Sequence, residues 1–279
     1  MLTAPPRIDF LAAMRSLAID PLVERGGYDR LLFSNDVFVE AEAIVELLHT
    51  KDGDYDMACG VDFHNRGCVS TPSLPLLPLP RANYDLFTGT QLPRRLYDLW
   101  VVRDRRGDLV SALRPYFLDD PSLHQAMNDE PVSAFTCWNG IVSIRAEPFL
   151  PPSLRPTTTG KQLSSAPLTH PLPSTTEVTP SAPPLRFRPS SLATGECFSS
   201  ESFNLPYDLQ RVFALSDIYV NARVITAYQW RFYVWFNWYI SGAELEGEER
   251  INKGTRVDDA GAVLEGGARS WVADDYGCS

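Results

Sequence analysis

Near the start of the chain, an apolar run, Leu31-Leu32-Phe33, opens directly onto Ser34-Asn35-Asp36, and a helical apolar period resumes soon after. This handover limits the folds open to the chain more than any other feature. Arg30 to Phe33 reads as a short buried strand that delivers Asn35 and Asp36 at its C-terminal end. Residues 40–49 then carry Ala43, Ile44, Leu47 and Leu48 at helix spacing, and Asp52-Gly53 stops them. A second apolar strand, 56–61, ends at Asp62. Strand, helix, strand with a carboxylate at each strand end is an α/β pattern. Open α/β sheets bind ligands beyond the carboxyl ends of their strands.

The rest of the chain is read around this unit. Ile8, Leu11, Met14 or Arg15, Leu17 and Ala18 predict a leading helix that Pro21 ends. Residues 96–102 read as a short helix or strand, and FTCWNGIVSI as a strand with a turn at Asn139-Gly140. A helix-compatible pattern covers 196–213, a strand 218–220, and an aromatic-rich element 224–239. Two segments do not read as core. TPSLPLLPLP holds four prolines in ten residues, and 148–189 holds eleven of the chain's 23 prolines. Both predict extended, mobile insertions. The expected organisation is one domain over 7–240, with insertions at about 66–93 and 150–190, and a poorly structured acidic tail over 241–279.

Composition sets the outer limits. With 279 residues, 44% hydrophobic and 22% charged, the chain has enough apolar mass for a sizeable core. Lys+Arg 25 against Asp+Glu 35 leaves a net charge of −10, half of it in 244–279. A nucleic-acid binder needs a basic face to displace counterions, so no nucleic-acid partner is expected. No membrane span is read either: the most apolar stretch, 225–240, is short and interrupted by Gln229, Arg231 and Asn237. Cys59, Cys68, Cys137, Cys197 and Cys278 are scattered without zinc or redox spacing, and the sequence does not choose a disulfide among them.

Four clusters carry candidate chemistry. Asp36, with Asn35 beside it, suits a hard cation such as Mg²⁺ or Mn²⁺, which takes one or two carboxylates plus phosphate oxygens. Either residue equally suits a cap on the following helix. Asp62 ends its strand as Asp36 does, and the two converge if their strands are neighbours; His64 is close by. In Cys137-Trp138-Asn139-Gly140, the indole offers a face for a sugar and the amide a partner for its hydroxyls, while a buried core tryptophan fits the same letters. Glu196 and Glu201, with Ser199 and Ser200 between them, supply carboxylates for acid–base or charge-stabilising work, or first-turn charges of a helix.

Taken in order, YDRLLFSNDVFVEAEAIVELL, GDYDMACGVDF, LYDLWVVRDRRG, PYF, FTCWNGIV, GECFSSESFNLPYDLQR and IYVNARV resemble one family. The chain is similar, over roughly 7–238 less the proline-rich segments, to the fungal capsule-associated α-1,3-mannosyltransferases. These are the cryptococcal mannosyltransferase-like enzymes of glycosyltransferase family 69.

The resemblance implies a GT-A-like α/β domain that transfers mannose, with retention, from the nucleotide-sugar donor GDP-mannose to a mannose-containing glycan acceptor. It implies Asp36 as the ligand for Mn²⁺ or Mg²⁺ and for the diphosphate, although Ser34-Asn35-Asp36 departs from a full Asp-x-Asp. Asp62 then stands for sugar hydroxyls or a second carboxylate. Asn35, Trp138 and Asn139 line a sugar pocket, and Glu196 or Glu201 faces the anomeric centre. The implied location is the lumenal side of the Golgi membrane. Family members begin with a span and a leading strand, so the expected chain is N-terminally truncated. Two other readings stay open: a non-catalytic remnant, and a metal-dependent phosphohydrolase using Asp36 and Asp62.

Overall fold

The computed structural model describes residues 6–63, 96–112, 115–155, 184–191, 196, 198–213 and 215–234. The central strand, β2 (Met57–Phe63), has every residue buried, as a strand covered on both faces must. On one side it pairs antiparallel with β5 (Ile141–Arg145), and on the other parallel with β6 (Ile218–Ala227). At one edge β1 (Arg30–Ser34) runs antiparallel to β5. At the other, β4 (Val132–Thr136) pairs with β6, and β3 (Arg103–Asp104) pairs with β4. The result is a six-stranded mixed sheet in the order β1-β5-β2-β6-β4-β3. Because β5 opposes both β1 and β2, strands β1, β2 and β6 share a direction and end at one edge.

Alternation along β2 divides the interior. Met57, Cys59, Val61 and Phe63 join the main core, while Ala58 faces a smaller cluster. α1 (Arg7–Arg25) contributes Ala12, Ile19 and Leu22 to the main core, and α4 (Glu201–Phe213) contributes Phe203, Leu205, Tyr207, Leu209 and Phe213. α2 (Ala41–Leu48) covers the opposite face, packing Leu47 with Tyr55, Ala58, Ile141 and Val224. Each of the leucine, isoleucine, valine and phenylalanine side chains among these, when fully buried, contributes roughly 1.5–3 kcal/mol. Two further helices, α3 (Asp120–Met127) and α5 (Trp230–Val234), flank β4 and follow β6. Gly60 permits the β2–β6 contact: an added Cβ there would lie 2.7 Å from the Val224 carbonyl oxygen. Cys59 on β2 is disulfide-bonded to Cys137, across a sequence separation of 78.

The strand–helix–strand unit forms where the sequence predicts it, and the architecture is mixed α/β. Other expectations need correction. The leading helix does not stop at Pro21; it runs on to Arg25 and ends where the N–H of Gly26, at φ +61°, bonds to Leu22. Burial of Ile19 and Leu22 on both sides of Pro21 offsets the hydrogen bond it forfeits. β1 is an edge strand, only half buried. Residues 96–102 form neither helix nor regular strand: Leu96 makes an isolated bridge to Phe63, and turns follow.

Asn139-Gly140 is no hairpin turn, because β2 and β6 lie between β4 and β5. Both ends of the second proline-rich segment belong to the core and not to a mobile insertion: Phe149 and Leu150 at its start, Leu185 and Phe187 near its end. Its middle, 156–183, lies outside the described residues, as do the first proline-rich segment, the tail, His64, Cys68, Cys197 and Cys278. Among the described residues no helix is long and apolar enough to cross a membrane.

Candidate active site

The shared edge where β1, β2 and β6 end opens into a cleft of about 1230 Å³. Asn35 and Asp36 enter it from the end of β1, and Tyr228 from the end of β6. Trp138 comes from the crossing into β5, Arg15 from α1 and Glu201 from the first turn of α4. Residues 96–100 supply a further part of the wall, including Tyr97, Asp98 and Trp100. A sheet edge fed by several strand ends leaves such a concavity, since no side chain from the next layer fills it.

Beneath the cleft, Asp62 and Asn139 form a buried pair. Both are fully enclosed, and Asn139 Nδ2 donates to Asp62 Oδ1 at 2.9 Å. The same amide nitrogen donates to the Asp98 carbonyl at 3.2 Å. The Tyr97 N–H donates to the Asp62 carbonyl at 2.9 Å, and the Asp98 N–H approaches Asp62 Oδ1 at 3.4 Å. These bonds hold the wall segment in an extended, turn-rich course that propensity alone does not select. Asp62 Oδ2 accepts no hydrogen bond among the described residues. Burial pushes the Asp62 carboxyl up to about 7, against the Asn139 hydrogen bond, which favours the ionised form.

Gly140 places the other side of the floor. The Ile141 N–H reaches back to the Asn139 carbonyl at 2.8 Å, a tight three-residue turn that holds Gly140 at φ +72°. Its carbonyl accepts from the Asn35 N–H at 2.8 Å, so β1 and the start of β5 fix each other at the cleft. Asn35 then donates to the Tyr228 hydroxyl at 3.1 Å and accepts from the Trp138 indole N–H at 3.5 Å. Burial raises the Tyr228 phenol to about 12, so it stays protonated at neutral pH.

The residues singled out from sequence are thus sorted by the fold. Asn35, Asp36, Trp138 and Glu201 line the cleft together; Asp62 and Asn139 lie under it and act as struts. Asp36 is exposed and free to meet a ligand. Trp138 is 2% exposed, and the Arg15 guanidinium lies 4.8 Å from its ring centroid, so it offers no open stacking face.

Glu196 is elsewhere. Its two oxygens accept from Arg188 at 2.6 and 2.8 Å, and Arg188 also grips Asp208 at 2.6 and 2.9 Å. Burial alone would raise the Glu196 carboxyl; the Arg188 and Ser191 hydrogen bonds outweigh it and hold the group below its ordinary value. Glu196 belongs to a clamp that seats the chain after the second proline-rich segment onto α4.

Two cleft residues escaped the sequence reading. Asp98 sits inside the quoted LYDLWVVRDRRG, where an acid between aromatic residues was the available signal. It is half buried, and burial raises its carboxyl against hydrogen bonds from the Trp100 and Val101 N–H groups. Arg15 enters the sequence reading only as an alternative to Met14 in the spacing of the leading helix. Among the described residues, no group of three or more His, Cys, Asp or Glu side chains is placed to hold a metal ion. Asp36 and Asp98 are cleft carboxylates that fit a divalent cation only if the ligand brings further oxygens.

Comparison with known proteins adds a family to this geometry. The alpha-1,3-mannosyltransferase CMT1 of Cryptococcus neoformans var. neoformans serotype D is 26% identical over 165 residues, which is 52% of this chain. The chain spans 30% of the length of that relative. No solved structure matches the chain. The family pattern described as cryptococcal mannosyltransferase 1 matches residues 3–208, which include β1, β2, β5 and the cleft residues from Arg15 to Glu201. The chain therefore belongs to the cryptococcal mannosyltransferase 1 family.

Proposed function

We propose that the cleft binds GDP-mannose and that the chain transfers its mannosyl group, with retention, to a hydroxyl of a mannose-containing glycan, on a GT-A-like domain. The carrying observation is the convergence of Asn35, Asp36, Asp98 and Arg15 on one cleft at the carboxyl edge of the sheet, in a chain of mannosyltransferase lineage. The lining charges are Asp9, Asp36, Asp98 and Glu201 against Arg7 and Arg15. A diphosphate entering a cleft of that balance needs added positive charge, and Asp36 is the exposed carboxylate that would share Mn²⁺ or Mg²⁺ with it. Held there, such a cation would supply the positive charge that offsets the diphosphate.

The residues of the chain then divide the remaining work. When the bond from the anomeric carbon to the diphosphate breaks, its electron pair leaves with GDP and positive charge develops on the sugar. Asp98, held on the wall by the Asp62–Asn139 pair, supplies the facing negative charge. Asn35 and the Tyr228 hydroxyl hold polar groups of the donor, and the acceptor oxygen attacks from the side the diphosphate leaves, passing its proton to the departing phosphate oxygen. The phosphohydrolase alternative loses its second carboxylate, because Asp62 is sealed beneath the cleft. A lumenal location on the Golgi membrane agrees with the Cys59–Cys137 disulfide, since such bonds persist in oxidising compartments.

The test is calorimetric titration of the chain with GDP-mannose, with and without Mn²⁺, followed by transfer of labelled mannose to a mannobiose acceptor. Metal-dependent binding that Asp36→Ala abolishes, together with transfer, supports the reading. A folded chain that binds no GDP-mannose overturns it in favour of a non-catalytic remnant, and hydrolysis without transfer favours a hydrolase.

A further inference from the structure

Arg15 has a position that a surface arginine of an amphipathic helix does not need. Its side chain is 19% exposed, and Nη1 donates to Glu201 Oε1 at 2.6 Å. The guanidinium lies over the Trp138 ring, 4.8 Å from the centroid, with the Phe187 ring at 5.7 Å. A guanidinium has five N–H donors, and among the described residues only this one bond to Glu201 uses them. The residue lines the cleft, its guanidinium placed by an aromatic platform and one carboxylate. Trp138 in turn is tied through its indole N–H to Asn35, next to Asp36. Arg15 and Asp36 therefore stand in one connected constellation, one a permanent cation and the other a carboxylate able to share one.

We propose that Arg15 grips the diphosphate of a nucleoside diphosphate and stabilises its developing charge as leaving group, with Glu201 as the counter-ion that holds the guanidinium ready. The inference rests on the donor reading above and names the residue that meets the donor's anionic part. Uncommitted, forked donors in a partly desolvated site match phosphate oxygens in geometry and charge. Glu201 competes with the diphosphate for the same guanidinium, so its charge opposes binding even as it orients Arg15. A purely architectural ion pair, tying α1 to α4, predicts the opposite for Glu201.

Calorimetric titration of the full chain with GDP, guanosine and inorganic pyrophosphate, at constant Mn²⁺, separates these roles in wild type, R15Q, R15K and E201Q. Arg15→Gln is expected to weaken GDP and pyrophosphate roughly 10- to 100-fold while guanosine affinity stays at its wild-type value. Arg15→Lys is expected to recover part of the loss, because a point charge lacks the fork. Glu201→Gln is expected to bind GDP at least as tightly as wild type. The proposal is overturned if R15Q keeps wild-type GDP affinity, if R15Q loses guanosine as strongly as GDP, or if E201Q weakens GDP as much as R15Q does. A wild-type chain that binds neither GDP nor pyrophosphate overturns the donor reading itself; wild-type binding that R15Q leaves intact overturns only the assignment of Arg15.

Discussion

Asn139 Nδ2 donates to Asp62 Oδ1 at 2.9 Å, and the same nitrogen reaches the Asp98 carbonyl at 3.2 Å. Two residues with no exposed surface thereby set the position of a carboxylate that does face the cleft. The acidic end of β2 acts on the site through the wall segment it holds. The same arrangement makes Asp62 sensitive to pH.

Burial raises the Asp62 carboxyl from 3.8 to about 7 in the folded chain. Its contribution to stability is then fully present below pH 3.8 and is lost progressively as pH rises to about 7, because the unfolded carboxyl ionises first. Asp62→Asn removes this penalty while keeping the shape. Urea unfolding of wild type and D62N at pH 5 and pH 8 is expected to show the variant gaining relative stability at the higher pH. A difference between the two that does not change with pH sinks the assignment.

Gly140 carries both a positive φ and a crowded neighbour. A Cβ there would lie 2.0 Å from Thr226 Oγ1. Gly140→Ala is expected to destabilise the chain by about 2–4 kcal/mol, read by chemical denaturation. Adding Thr226→Ala relieves the clash but not the backbone strain, so the double variant should recover part of the loss. Full stability in G140A alone contradicts the geometry of the turn.

The Cys59–Cys137 bond closes a long loop, with a sequence separation of 78. Reducing it is expected to lower stability by about 2–4 kcal/mol, a typical figure for a native disulfide. Peptide mapping without reductant should recover Cys59 and Cys137 on one cross-linked fragment. A different pairing, or an unfolding midpoint indifferent to reductant, counts against it.

Asp98 is the cleft carboxylate assigned to the sugar's developing charge. Asp98→Asn should lower turnover roughly 100- to 1000-fold while the donor KM stays near wild type, because the lost interaction belongs to the transition state. Steady-state rates over a range of GDP-mannose concentrations separate the two quantities. Wild-type turnover in D98N would move the role to another carboxylate.

Much of the local structure was legible in the letters. β1, α2 and β2 follow from an apolar run, a 3.6-residue period and a second apolar run, each with a polar stop. Those stops also pointed to the carboxyl edge of the sheet, and the order of the motifs agreed with the family. Asn35, Asp36, Trp138 and Glu201 were marked from sequence and meet at the cleft. Local pattern could reach them because each sits at the boundary of an element.

Tertiary structure decided the rest. Spacing around Asn139-Gly140 fits a hairpin, yet β2 and β6 come between the flanking strands, and pairing order is a property of the whole sheet. Glu196 and Glu201 are five residues apart, but one is bound by Arg188 and the other by Arg15, and only Glu201 lines the cleft. Arg15 carries no local signal that sets it apart from an ordinary surface charge, and 186 residues separate it from its partner Glu201. The sequence by itself determined which elements form and where their polar ends fall, because periodicity and turn chemistry act over a few neighbours. Which of those ends converge on the cleft, and which are sealed beneath it, depends on contacts between residues far apart in the chain, and only packing selects among them.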